Sequence, residues 1–189
     1  MAVEKIFVHP GFVLGNKTHH GKNDIALLRL KKRIVFYDRV QPVCLPDENY
    51  KLPVGKECVV PGFGKTSENS SYSPVLREAR LPIVQKEICN NSTSYNNTIE
   101  DNYFCAGYPQ GGIDSCGGDS GGPFVCENEA DRWTLTGLVE WGEGCARSHK
   151  YGVYLEVKRM LPFIESTLHG KTKLLDNWLR GLVRVICAI

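Results

Sequence analysis

The 189-residue chain is 42% apolar and 23% charged, with a net charge of +2. That is an ordinary globular balance. No Lys/Arg block interleaved with aromatics is present, so nucleic-acid binding has no support, and no apolar run reaches membrane-spanning length.

In chain order, short apolar runs bounded by Gly, Pro, Asn and Ser predict strands at 5–9, 25–30, 57–60, 76–84, 103–106, 123–126, 133–141 and 152–157. Such spacing without long intervening helices points to antiparallel β-barrels. Segment 35–53 carries Pro42, Pro46 and Pro53 and no convincing strand, as a crossing between two barrels would. Val157, Met160, Leu161, Ile164 and Leu168 recur at helical spacing, although Pro162 interrupts them. At 171–189 a second apolar stripe (Leu174, Leu175, Trp178, Leu179, Leu182, Val183, Ile186) reads either as an amphipathic docking or membrane-surface helix or as sequence foreign to the rest. We favour the second.

The most informative stretch is Asp114-Ser115-Cys116-Gly117-Gly118-Asp119-Ser120-Gly121-Gly122-Pro123. A nucleophilic serine needs a tight turn, small neighbours, and backbone N–H groups aimed at a developing oxyanion. The four glycines around Ser120 supply that room and the unusual dihedrals.

Eight cysteines and five Asn-x-Ser/Thr sequons (Asn16, Asn69, Asn90, Asn91, Asn96) point to an oxidising, secretory-pathway environment. Asn90 and Asn91 overlap, so joint occupancy is not expected. Six paired cysteines allow 15 connectivities, and spacing alone does not choose among them. Zinc is not expected, because no CxxC or His/Cys cluster is present. The opening Met1-Ala2-Val3-Glu4-Lys5-Ile6 is not a signal peptide, which leads us to expect an N-terminally truncated chain.

Several further motifs stand in fixed order around the serine. They are Asn23-Asp24-Ile25-Ala26-Leu27-Leu28, Gln41-Pro42-Val43-Cys44-Leu45-Pro46, Gly62-Phe63-Gly64, Phe104-Cys105-Ala106-Gly107, Trp141-Gly142-Glu143-Gly144-Cys145-Ala146 and Gly152-Val153-Tyr154. Together with the serine stretch they resemble the chymotrypsin/trypsin family of serine endopeptidases, from about residue 4 to residue 169. The resemblance implies an all-β double antiparallel barrel with a C-terminal helix. The first barrel would be incomplete, since all-β barrels often run to about 200–250 residues as one unit. It divides the chain into a partial first barrel and crossing at 1–56, a second barrel and helix at 57–170, and an out-of-family tail at 171–189.

The resemblance also implies roles. Ser120 corresponds to the nucleophile, Asp24 to the acid that orients the base, and the N–H groups of Gly118 and Ser120 to the oxyanion hole. Asp114 corresponds to a carboxylate at the floor of a pocket for Arg or Lys, aided by Ser115 and walled by Trp141, Gly142 and Gly152. Asp119 corresponds to the partner of a freed N-terminal ammonium. The implied disulfides are Cys58–Cys126, Cys89–Cys105 and Cys116–Cys145. Cys44 corresponds to a cysteine that often links to an N-terminal pro-region, and Cys187 is left over. Protein substrates with Arg or Lys at the cleaved bond are the implied partners.

Three departures stand out. The family's base lies in a Thr-Ala-Ala-His-Cys segment, and none of His9, His19, His20, His149 or His169 has that context. His19 and His20 are expected to face solvent beside the cleft. Glu140 stands where Ser is usual, and Phe63 replaces a common Trp. Tyr151 resembles members that bind Na⁺ near the pocket, the one hint of a cofactor. The expected activity is cleavage after Arg or Lys through an acyl-enzyme, absent in this chain for want of the histidine. The alternative is a non-catalytic homologue acting as a binding or regulatory module.

Overall fold

The computed structural model describes residues 1–15 and 20–169. Strands β1 (Val3–Val8) and β2 (Ala26–Leu30) pair antiparallel as a two-stranded sheet. Strands β3 (Glu57–Gly62), β4 (Arg77–Val84), β5 (Tyr103–Ala106), β6 (Pro123–Glu127), β7 (Trp133–Trp141) and β8 (Gly152–Glu156) form a closed barrel in the order β3-β4-β5-β8-β7-β6. The short helix α1 (Lys86–Cys89) follows β4, and a 3-10 turn (Val157–Met160) leads into helix α2 (Leu161–His169).

All eight predicted strands form, with ends shifted by up to two residues. The predicted helix is a 3-10 turn followed by α2, and Pro162 sits in the first turn of α2, where its missing N–H has no helical partner to lose. Helix α1 was not anticipated; four residues are too few to show a period. The segment 171–189 lies outside the described residues.

Alternation along the strands builds two cores. Phe104 and Ala106 of β5, Tyr154 of β8 and Val139 of β7 point inward with Val60, Leu81, Ile83 and Phe124 and fill the barrel. Their neighbours Tyr103, Cys105, Val153 and Leu155 point outward. This is the period of two that a strand imposes. The outward set is covered by Ile25, Leu27, Met160, Leu161, Phe163 and Ile164, so α2 and β2 both dock on the barrel's outer face. The crossing also contributes, since Val43 and Leu45 pack against that core and Cys44 exchanges backbone hydrogen bonds with the Trp133–Leu135 segment.

The disulfides Cys58–Cys126, Cys89–Cys105 and Cys116–Cys145 are formed, as the resemblance implied. Among the described residues Cys44 is free and exposed. No helix among them is long and apolar enough to cross a membrane.

Candidate active site

The serine turn is fixed from both sides. Asp119 N–H donates to the Cys116 carbonyl and Gly122 N–H to the Asp119 carbonyl, which makes two consecutive tight turns. Gly121 N–H donates to the Val139 carbonyl and Val139 N–H to the Gly122 carbonyl, so the turn is stitched to β7. Ser120 stands exposed at its crest, and no described side chain hydrogen-bonds its hydroxyl. Gly118 has φ +97°, and a Cβ there would lie 2.6 Å from the Tyr72 ring, so both conformation and space require glycine.

The Asp119 carboxylate turns inward. Gly64 N–H donates to its Oδ1 at 2.8 Å and Cys116 N–H to its Oδ2 at 3.0 Å. It lies so close to Gly62 and Gly64 that a Cβ at either would collide with it. That contact is the physical reason for the Gly-Phe-Gly motif. Two amide donors offset much of what an unpaired carboxylate would lose on leaving water.

Asp114 opens the serine stretch and is half-buried. Ser115 N–H donates to its Oδ1 at 2.9 Å and Ala146 N–H to its Oδ2 at 3.0 Å. Burial pushes its pKa up to about 6, the two amides pull the other way, and the nearby Asp119 charge adds to the rise. No described cation pairs with it. A Cβ on Gly152 would come within 2.7 Å of both Asp114 Oδ1 and the Tyr154 hydroxyl, so this position admits no side chain. Gly142 is less crowded, with nothing nearer than 3.5 Å. The Ser115 hydroxyl pairs with buried Tyr154 at 3.1 Å. Tyr151 is buried, and its carbonyl accepts from Tyr95 at 2.6 Å.

The Asp24 loop is pinned to the barrel edge. Asn102 donates to the Asn23 side chain at 3.0 Å, the Tyr103 hydroxyl donates to the Gly21 carbonyl at 3.1 Å, and Lys22 pairs with Glu100 at 2.7 Å. Asp24 itself is exposed at the entrance to β2. Glu140 lies near enough to feel its charge. Burial first, and Asp24 second, push the Glu140 pKa up to about 8, and Glu140 Oε1 is buried without a partner among the described residues.

The histidines carry one surprise. His20 is exposed, yet one face of its ring stacks on Trp141 at 3.3 Å between centroids, so it covers that indole instead of facing solvent alone. Its pKa is lowered by burial, against the opposing pull of Glu143. His9 packs edge-on against Phe163 at 4.8 Å. Asn16 and His19 lie outside the described residues. Of the other sequons, Asn69, Asn91 and Asn96 are exposed, whereas the Asn90 amide is engaged on both sides with the Ile99 backbone at 2.9 and 3.0 Å.

Sequence reading passed over Tyr72, Tyr95 and Tyr103, and also the pair Glu68–Arg147, which joins residues 79 apart in the chain. Tyr95 packs edge-on against Trp141 at 5.1 Å. Only the register of folded loops brings these groups to the site, so no local pattern announces them. The family model described as Trypsin matches residues 1–164 of the chain. With six strands closed into one barrel and the glycine-flanked serine at its rim, the chain belongs to the trypsin-like family of serine peptidases.

Proposed function

We propose that the chain carries the nucleophile, the orienting acid and the specificity pocket of an endopeptidase that cleaves after Arg or Lys. In that reading Ser120 Oγ attacks the scissile carbonyl and a base takes its proton. The N–H groups of Gly118 and Ser120 receive the oxyanion, and the proton then passes to the leaving amine as the acyl-enzyme forms. Asp24 holds the base in one tautomer. The observation that carries the specificity is the Asp114 carboxylate, half-buried, with two amide donors and no cation among the described residues, beside Gly142 and Gly152. A guanidinium or ammonium entering there completes a desolvated ion pair.

These 189 residues by themselves are silent in this reading. None of their histidines stands in the family's Ala-Ala-His-Cys context. The Asp119 carboxylate is held by the Gly64 and Cys116 amides. Loss of the triad base costs on the order of 10⁶ in turnover.

The second reading, a non-catalytic binding homologue, is favoured by one observation. Glu140 places a half-buried carboxyl, its Oε1 without a partner among the described residues, near enough to Asp24 to feel its charge, where an acid disturbs the charge balance a triad needs. A chimera separates the two. Residues 1–170 are joined to a relative's N-terminal third that supplies the histidine and a cleavable hydrophobic N-terminus. Cleavage after Arg and Lys supports the protease reading. Equal cleavage after Phe and Arg sinks the specificity, and an inert but folded, processed chimera favours the binding homologue.

A further inference from the structure

Three consecutive residues of the pocket wall are held by two acids in alternation. Cys145 N–H donates to Glu68 Oε1 at 3.0 Å, and Ala146 N–H donates to Asp114 Oδ2 at 3.0 Å. Arg147 then closes a fork on Glu68, with Nε to Oε1 at 2.6 Å and an outer nitrogen to Oε2 at 2.7 Å. The wall segment is itself conformationally demanding. Gly144 has φ +73° and Ala146 has φ +56°, a region that an alanine rarely adopts and that outside contacts must hold. The Cys116–Cys145 disulfide fixes one end, and Gly112 N–H donates to the Ala146 carbonyl at 2.9 Å.

Glu68 is a firm anchor because its own loop is braced. Lys65 N–H donates to the Gly117 carbonyl of the serine turn at 2.9 Å. The Ser70 hydroxyl accepts from the Thr66 and Ser67 amides at 3.0 and 3.2 Å. Gly144 leaves the passage through which Glu68 and Arg147 approach the wall, and a Cβ there would collide with both.

We propose that Glu68 and Arg147 are positioning residues for substrate specificity: they latch the 62–73 loop to the pocket wall, so that the Ala146 amide stays on Asp114 and the pocket is shaped for a basic side chain. The proposal rests on the reading of Asp114 as the cation-binding group. The pair is exposed, so its own attraction is weak, and its effect comes from its two-pronged geometry and from where it holds residues 145–147. The Arg147 hydrogen bond, followed by the Cys145 amide, draws the Glu68 pKa down to about 2. The latch therefore stays charged throughout the range in which Asp114 titrates. The other acids facing these groups are Asp119, toward Asp114, and Glu143, toward Arg147.

The test is binding of the fluorescent aryl amidine 4-aminobenzamidine to the full chain and its variants, as a function of pH. Wild type is expected to bind and Asp114→Asn to lose binding. Glu68→Gln and Arg147→Ala are each expected to weaken binding about fivefold, the upper end for an exposed pair of good geometry. The double variant should be no weaker than the worse single one, because both remove one unit. The pH midpoint of binding should rise in Glu68→Gln, since Asp114 loses a held amide donor; a general loss of stability leaves that midpoint in place. Binding by both latch variants within about twofold of wild type, with an unmoved midpoint while Asp114→Asn fails, overturns the latch and leaves Asp114 standing. A folded wild-type chain that binds no amidine overturns the Asp114 reading and the latch with it.

Discussion

The closed barrel and the two-stranded sheet share a chain but not a degree of completeness. In the barrel each strand has two paired neighbours, three disulfides link its parts, and Phe124, Leu81 and Tyr154 are wholly buried. In the sheet, Ile25 and Leu27 reach the core shared with α2, but Val3, Ile6 and Val8 lie 40–56% exposed on the other side. The difference maps onto chemistry. The groups proposed to bind substrate (Asp114, Ser115, Gly142, Gly152, Trp141) and the serine itself all ride on the barrel, whereas Asp24 rides on the entrance to the sheet. The groups of the proposed pocket thus lie on the better-packed of the two regions, and the proposed orienting acid on the other.

The sharpest way to break this comparison is by core truncation. Phe124→Ala should cost about 3–5 kcal/mol of barrel stability, whereas Ile6→Ala should change it by less than about 0.5 kcal/mol. Chemical denaturation followed by tryptophan fluorescence checks both. Equal losses would mean that the sheet is as essential to the fold as the barrel interior.

The half-buried carboxyls of Glu140 and Asp114 give the next effects. Glu140 has a raised folded pKa, so the fold prefers its protonated form. Stability is complete below about pH 4.5 and is lost as pH rises toward 8. Glu140→Gln should match wild type at pH 4 and exceed it by a few kcal/mol at pH 9. Asp114 follows the same sign in the window from about 3.8 to about 6. Asp114→Asn should therefore be more stable than wild type above pH 6, by about 3 kcal/mol at most. Denaturant midpoints measured across pH test both, and a flat wild-type profile would contradict the assigned burial.

Smaller effects separate the two regions kinetically and chemically. Limited proteolysis should cut within residues 1–35 before it cuts the disulfide-tied span from Glu57 to Cys145, because local opening is easiest where fewest apolar groups are buried. Protection of the two spans to the same degree would show that the sheet has closed in another way. In a secretory host, Asn90→Gln should leave the glycan count unchanged and Asn69→Gln should remove one, as peptide mapping would show. The Asn90 amide is already committed to Ile99.

Much of the barrel was legible because alternation at β5, β7 and β8 is a local pattern with a physical cause. The serine turn was legible because glycines mark places where side chains do not fit. Gly62, Gly64 and Gly118 bear this out through the Asp119 carboxylate and the Tyr72 ring that press on them. The motif marked Asp119 as a residue with a charged partner, but did not show that the Gly64 and Cys116 amides would receive its carboxylate. The ring stack of His20 on Trp141 and the Glu68 fork depend on how loops far apart in the chain meet. Glu140 stood out as a substitution, yet its buried Oε1, unpartnered among the described residues, became visible only with the packing around it.

The central proposal is that Ser120 stands beside a cation-binding pocket and lacks a base among the described residues. Its most direct test is labelling of the folded 189-residue chain with a fluorophosphonate, read by mass spectrometry of the Ser120 peptide in a sample that binds the amidine. The account predicts no adduct at Ser120 in amidine-free chain, with a separate aliquot of the same preparation shown to bind the amidine. An adduct at Ser120 would show that another group of this chain deprotonates the serine, and the claim would be wrong.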